Sequence, residues 1–257
     1  MGKKWAVITG ASSGLGAEFA GQLAERGYNL VLVARRKERL QAIRGELEEK
    51  WGIRCETIAA DLSRKESCIT LFGLIKKMNI EIFINNAGFG DCGKFSETEM
   101  TKELDMIDVN IRAVHILTKL MVGKFRERNR GYLLNVGSSA GLMPAGPFMA
   151  TYYATKAYVN SLTRAVADEL KREGSKVYVG CLCPGPVDTE FNSVANVRFA
   201  LKGISAGECV KYAIDRMFKK KTVIIPGKVM KAGAFFSRFI PQNMLITITG
   251  NQQKKKL

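Results

Sequence analysis

Tyr152 and Lys156, in the run Tyr152-Tyr153-Ala154-Thr155-Lys156, are the pair whose types and spacing most directly suggest chemistry. On a helix, a four-residue spacing puts phenol and ammonium on one face. A phenol titrating near 10 is a poor base at neutral pH, and a neighbouring ammonium favours the phenolate and is expected to lower that value. Tyr152 would then be a proton donor to a developing alkoxide. Alone, Tyr-x-x-x-Lys equally describes an exposed helix face, so its surroundings decide. Thirteen residues before Tyr152 stands Ser139, in Asn135-Val136-Gly137-Ser138-Ser139-Ala140-Gly141.

A second group suits a bound anion. Thr9-Gly10-Ala11-Ser12-Ser13-Gly14-Leu15-Gly16 joins a strand-like run to a helix-like one. Glycines let the backbone turn and approach a pyrophosphate, whose charge meets free amides at the helix N-terminus. The next strand ends Val33-Ala34-Arg35-Arg36, with no acid before Glu38. An acid there would accept from ribose hydroxyls, whereas an arginine forks onto a 2′-phosphate, so NADP(H) is favoured and NAD(H) remains open. The bland reading of Arg35 and Arg36 is a solvated helix start. Asp61-Leu62 and Asn85-Asn86-Ala87-Gly88 close two further strands. Taken together, these strand ends outline an extended dinucleotide.

Seven apolar runs supply the strands: Trp5 to Thr9, Leu30 to Ala34, Arg54 to Ala60, Ile80 to Asn85, Gly131 to Val136, Val177 to Cys183 and Thr222 to Pro226. Helical periods separate them, such as Lys37 to Trp51 with Leu40, Ile43 and Leu47 on one face. Capping boxes are expected at Ser63/Glu66, Ser96/Glu99 and Ser205/Glu208. The alternation predicts an α/β fold: a Rossmann-type, doubly wound parallel sheet of about seven strands with helices on both faces. Ligands of such sheets bind beyond the carboxyl ends of the strands, where these motifs fall. One catalytic domain is expected over 1–227, with a basic, partly apolar extension over 228–257.

The chain of 257 residues, 46% hydrophobic, can bury a substantial core. Its six cysteines form no C-x-x-C pair, and Cys181 and Cys183, two apart on a strand, are poorly placed to bridge. Reduced thiols and a strand beginning almost at Met1 predict a cytoplasmic protein without a signal peptide. A single histidine, His115, argues against a zinc site, and no metal is expected. The net charge of +16 gathers late, since no acid follows Asp215. No zinc finger, helix-turn-helix or RNA-binding signature accompanies it, so nucleic acid is not an expected partner.

Taken in order, Thr9 to Gly16, Asn85 to Gly88, Asn110, Ser139, Tyr152 with Lys156, and Pro184-Gly185-Pro186-Val187-Asp188-Thr189 resemble the single-domain short-chain dehydrogenase/reductase family over most of residues 4 to 226. The resemblance implies that Ser139 bonds the substrate oxygen and Tyr152 exchanges its proton. Lys156 would bind the nicotinamide ribose and depress the Tyr152 pKa, while Asn110 would hold a relay water. It implies cofactor contacts from Gly10, Ser12, Ser13, Gly14, Leu15, Gly16, Asp61, Leu62, Asn86, Ala87, Gly88, Pro184, Gly185, Val187 and Thr189. Ser13 departs from the family pattern, because many NADP-using relatives carry a basic residue there; the preference therefore rests on Arg35 and Arg36. The resemblance also implies a homodimer or homotetramer through the helices at Met100 to Arg128 and Thr151 to Glu173.

Gly137-Ser138-Ser139-Ala140-Gly141 also fits G-x-S-x-G, but a hydrolase triad needs a histidine after the serine, and His115 precedes it. A silent cofactor-binding protein of the same fold is the other alternative; the full set Asn110, Ser139, Tyr152, Lys156 speaks against it. Leu142, Phe148, Phe191 and Phe199 are candidate pocket residues, mostly apolar, which suits a steroid or long-chain carbonyl compound. In the extension, a helix over Lys228 to Ile240 would gather Ala232, Phe235, Phe236, Phe239 and Ile240 on one side. That side is expected to pack on its own or a neighbouring subunit, with peripheral contact to an anionic membrane as the alternative.

Overall fold

The computed structural model describes residues 4–195 and 203–254; Phe199, Lys255 and Lys256 lie outside them. Among these residues a seven-stranded parallel sheet runs β3-β2-β1-β4-β5-β6-β7. Its strands are β1 Trp5–Thr9, β2 Asn29–Ala34, β3 Cys55–Ala59, β4 Ile80–Asn85, β5 Tyr132–Val136, β6 Tyr178–Leu182 and β7 Val223–Ile224. Each expected strand is present: β1 and β4 keep the expected bounds, β2 begins earlier, at Asn29, and β3, β5, β6 and β7 are shorter than expected.

A sheet covered on both faces needs apolar residues at every position of its central strands. All six residues of both β2 and β4 are buried. One face packs on α1 (Gly14–Glu25), α2 (Lys37–Trp51) and α8 (Ala206–Phe218) through Phe19, Leu40 and Ile214. The other packs on α3 (Lys65–Ile75), α5 (Val114–Glu127) and α6 (Ala150–Arg172) through Leu71, Phe125 and Leu170. Strand order reverses between β1 and β4, which opens a crevice at their carboxyl ends.

Buried amides tie those ends together. Asn85 and Asn135 face each other across β4 and β5. Asn85 Nδ2 donates to Asn135 Oδ1 (3.2 Å) and to the Val114 carbonyl (3.2 Å). Asn135 accepts also from Thr118 and donates to Thr163 (2.9 Å), linking sheet, α5 and α6. Unpaired, these groups would each cost about 1–3 kcal/mol of desolvation.

Three local expectations change. Only Ser205/Glu208 forms a capping box, at α8. Ser63 instead bonds the Asp61 carboxylate, and α3 starts after Arg64. Thr98, not Ser96, donates to a carboxylate (Glu103, 2.8 Å) ahead of α4 (Met100–Ile107), whose N-cap is Glu99. The helix bearing Asn110 is interrupted by a π-helical stretch, Asp108–Ala113, between α4 and α5. Beyond Gly227, at φ +84, the extension folds as α9 (Lys228–Phe236), a 3₁₀ turn (Ser237–Phe239) and α10 (Gln242–Lys254).

Candidate active site

The β1–α1 loop turns at Gly10, whose φ of +65 favours glycine, and a Cβ there would lie 2.8 Å from the Ala87 Cα. Thr9 Oγ1 accepts from the Asn86 and Ala87 backbone amides (2.9 and 3.0 Å), and Asn86 Nδ2 donates to the Thr9 and Gly10 carbonyls. The first and fourth strand ends are thus locked edge to edge. Thr189 sits over Gly14, its Cβ 3.2 Å from where a Gly14 Cβ would be. A Cβ on Gly16 would overlap the Gly10 carbonyl. The glycines thus let the loop pack tightly against its neighbours, and the backbone amides at the start of α1 suit a pyrophosphate. Leu15 and Leu62 turn their side chains into the two core layers, so only their backbone can face a ligand. Val187 is buried and pairs with Ile204. The Pro184 carbonyl accepts from Ser139 N, and Gly185 lies under Met230 of α9.

Arg36, rather than Arg35, bends over the glycine-rich loop. Its guanidinium donates to Ser12 (3.2 and 3.0 Å), to Ser13 (2.8 Å) and to Glu190 (3.0 Å). Arg39 pairs with the same carboxylate, and the two arginines hold Glu190 down at about 2, Arg39 contributing more. Arg35 is exposed. Two arginines and the Ser13 hydroxyl thus converge on one carboxylate near the end of β2, with Ser12 bonded to Arg36.

Tyr152, Lys156 and Asn110 come together at the carboxyl ends of β4 and β5. Tyr152 and Lys156 are buried on one face of α6. The Lys156 ammonium donates to the Val136 carbonyl at 2.9 Å and lies 5.9 Å from the Tyr152 ring centre. Asn110, fully buried, accepts from the Phe89 amide (3.1 Å) and donates to the Phe89 carbonyl (2.8 Å) and Thr155 Oγ1 (3.1 Å). The π-helical stretch turns Asn110 inward toward Gly88, where a Cβ would meet Asn110 Oδ1 at 2.8 Å and Lys156 Nζ at 3.3 Å.

The hydroxyl beside Tyr152 belongs to Ser138, not Ser139. Ser138 is extended (φ −168, ψ 158), is buried, and caps the 3₁₀ helix Ser139–Leu142 by accepting from Ala140 N. Successive side chains of extended backbone point to opposite sides, so Ser139 cannot share that direction. The spacing to Tyr152 does not reveal this, because two adjacent serines follow β5 and only the backbone conformation decides which one turns toward the phenol.

Electrostatics here differ from expectation. Burial pushes the Tyr152 phenol up to about 12, opposed by its hydrogen bond with Ser138, and pushes the Lys156 ammonium down to about 8. Burial outweighs any lowering by Lys156, whose ammonium lies 5.9 Å from the Tyr152 ring centre and bonds the Val136 carbonyl rather than the phenol oxygen. At neutral pH Tyr152 therefore carries its proton, the form of an acid.

Around the phenol, Phe191 at the start of α7 (Phe191–Val194) places its ring 5.5 Å from that of Tyr152. Phe89, Cys92, Met143 and Met149 complete an apolar cluster with both tyrosines. Phe148, at φ +65, lines a recess shared with Tyr152. Leu142 does not line the site: it packs with Val114, Val159, Cys181 and Cys183, and its neighbour Met143 faces Tyr152 instead. None of the six cysteines is in a disulfide. His115 is on the surface, its Nδ1 2.7 Å from the Tyr158 hydroxyl.

A family model described as short chain dehydrogenase matches residues 4–198. The chain is 40% identical over 185 residues to the very-long-chain 3-oxoacyl-CoA reductase of Neurospora crassa, covering 69% of this chain and 55% of that one. With the protein of the same name from Anas platyrhynchos it shares 32% over 200 residues, 76% and 63% of the two chains. The chain thus spans less than two thirds of the length of these curated relatives. Among solved structures it is similar to a short-chain dehydrogenase from Sphingobium yanoikuyae in complex with NADPH: TM-score 0.83, 31% identity, 92% and 93% coverage. It is also similar to a structure described for 7beta-hydroxysteroid dehydrogenase stereoselectivity, with TM-score 0.85, 27% identity and 96% of each chain covered.

The buried ammonium makes a stability prediction. Folded Lys156 releases its proton near 8 and an unfolded lysine near 10.5, so the burial penalty is full below pH 8 and fades between the two values. That gap corresponds to about 3 kcal/mol, less the lost hydrogen bond to Val136. Lys156→Met is therefore expected to melt a few degrees above wild type at pH 7, with the gain shrinking toward pH 10. Calorimetry across that range reads it; a variant less stable at pH 7 would count against a costly buried charge.

Proposed function

The chain belongs to the short-chain dehydrogenase family, and from that premise we propose that it is an NADP(H)-dependent oxidoreductase that reduces the carbonyl of a long, apolar substrate, with Tyr152 as proton donor. The observation that carries this reading is a phenol that is buried, protonated at neutral pH, hydrogen-bonded to Ser138 and walled by apolar side chains beside a cradle for a dinucleotide.

When bound, the nicotinamide supplies a hydride for the carbonyl carbon. The protein does the rest by orientation and charge. Ser138 and Tyr152 bond to the carbonyl oxygen and fix its position, and the Tyr152 proton passes to that oxygen as negative charge develops. The Lys156 ammonium, held by the Val136 carbonyl, stabilises the phenolate left behind and bonds the nicotinamide ribose. Asn110, braced by Phe89 and Thr155, positions a water through which Tyr152 is reprotonated. The side chains packed around the Tyr152 ring are apolar, so that wall can take an aliphatic chain. The curated relatives' name supports a long-chain 3-oxoacyl thioester as the first substrate to test, and the likeness to the hydroxysteroid dehydrogenase structure supports a steroid ketone as the second. Five buried cysteines outside any disulfide support a reducing, cytoplasmic location.

With NADPH and 3-oxoacyl thioesters or steroid ketones, Tyr152→Phe is expected to lower kcat/KM by about 10³-fold with NADPH affinity little changed. Ser138→Ala should cost about 10- to 100-fold, and Ser139→Ala about twofold or less. Reduction should slow as pH rises through about 8, where Lys156 loses its charge. If Ser139→Ala is the damaging change and Ser138→Ala is harmless, the assignment of the hydroxyl fails.

Arg36 would take the 2′-phosphate in place of the Glu190 carboxylate, supported by Ser12, Ser13 and Arg39. Wild type is expected to prefer NADPH over NADH, and Arg36→Ala to cut that preference at least about tenfold, whereas Arg35→Ala changes it little. Equal use of both cofactors by wild type in steady-state kinetics would refute this.

Self-association fits the helices beside the site. Met100, Leu104 and Ile107 of α4 and Tyr158 of α6 are exposed apolar side chains. A homodimer or homotetramer is the expected mass in light scattering, and a monomer at micromolar concentration would exclude it.

A further inference from the structure

The extension has two faces. Its inner face is docked: Met230 covers Gly185, Gly250 abuts Pro147, and Gln253 donates to the Tyr153 hydroxyl next to Tyr152. Its outer face carries Val229 (84% exposed), Phe235 (53%), Phe236 (62%) and Phe239 (73%), with Met244 nearby. The three phenylalanine rings contact one another, Phe235 lying 5.4 Å from Phe236 and 5.6 Å from Phe239. Among them stand Lys228, Lys231 and Arg238, and no carboxylate occurs anywhere after Asp215.

We propose that this outer face is a docking surface for an anionic lipid bilayer. Burial against the extension's own subunit is ruled out by the exposure of the rings, since the inner face already makes that contact. A second copy is disfavoured by charge: a symmetric contact would set the same lysines and arginine face to face with no acid between them. An anionic headgroup layer supplies the missing charge, while the rings enter the boundary between headgroups and acyl chains. At nine residues, or about 14 Å, α9 is too short to cross and must lie along the surface. Among the described residues no helix is long and apolar enough to span a membrane. Because the inner face touches Gly185, Pro147 and Tyr153, beside Tyr152, docking would hold the Tyr152 site close to the bilayer.

Vesicle flotation of the full chain tests this without substrate or turnover, so its outcome is separate from that of the redox reading. Truncation is unsuitable, because α10 packs beside Tyr153. Two combined variants alter only outer-face residues: Phe235→Ser with Phe236→Ser and Phe239→Ser, and Lys228→Glu with Lys231→Glu and Arg238→Glu. Each is checked for a wild-type melting transition. Wild type is expected to float with phosphatidylserine-containing vesicles, to stay behind with pure phosphatidylcholine, and to be released by salt. Each variant should lower the partition coefficient by at least about tenfold. No flotation of wild type at low salt, or undiminished flotation of the serine variant, would overturn the proposal. So would loss of self-association in the serine variant by light scattering, which would assign the rings to a second copy.

Discussion

A lysine ammonium without a carboxylate has been taken out of water at the carboxyl end of a parallel sheet, and the site is built around holding it there. Charges are buried only when compensated. Lys156 obtains a carbonyl dipole from Val136, at the last residue of β5. Keeping that contact brings α6 down onto the 3₁₀ helix after β5, so close that a Cβ on Gly141 would strike the Lys156 backbone. It also requires bare backbone at Gly88 and an inward-turned Asn110, for which the π-helical stretch supplies the rotation. Ser138 emerges from the same strand end, and its carbonyl is fixed by Asn160 of α6. One buried cation therefore couples the positions of a phenol, a hydroxyl and an amide from three separate elements.

The same logic runs along the crevice toward β2. There the compensating group for Arg36 and Arg39 is Glu190, in the segment that leads from Thr189 into Phe191. An exposed ion pair contributes little stability on its own, so its interest is positional. It ties the strand end that faces the adenosine side to the segment carrying the aromatic wall beside Tyr152. An anion arriving at Arg36 thus competes with a contact whose other end borders the substrate site, giving the two ends of the crevice a physical link.

Much of this was legible in the sequence because parallel sheets place their ligand-binding residues where strands stop. Apolar runs ending in glycine, asparagine or serine mark both the fold and the crevice, and Tyr152, Lys156, Asn110 and the glycine-rich loop lie where that reading puts them. What escaped is geometry finer than one residue. Ser138 and Ser139, or Leu142 and Met143, differ by which side of an extended or tightly wound backbone they leave, and no composition encodes that. The expected fall in the Tyr152 pKa gives way to a rise because spacing shows that a cation is near but not that burial of the phenol outweighs it. Ser63 and Ser96 have the right capping spacing, yet a nearer carboxylate at Asp61 and a later helix start at Met100 supersede it.

The extension shows the complementary limit. Its helical period was visible, but periodicity says only that one side is apolar, not which side meets the protein. The deciding residues are poor markers: Gly250 and Gln253 are buried, while Phe235, Phe236 and Phe239 are not. Gln253 goes inward because the Tyr153 hydroxyl, itself buried, needs a partner, and Gly250 because the Pro147 ring leaves no room for a larger residue. With the polar and small residues committed to the active-site side, the aromatic ones are left facing outward. An acid-free segment that leaves its rings in water forgoes burial worth roughly 1.5–3 kcal/mol for each. That arrangement persists most naturally where something apolar and negatively charged meets it.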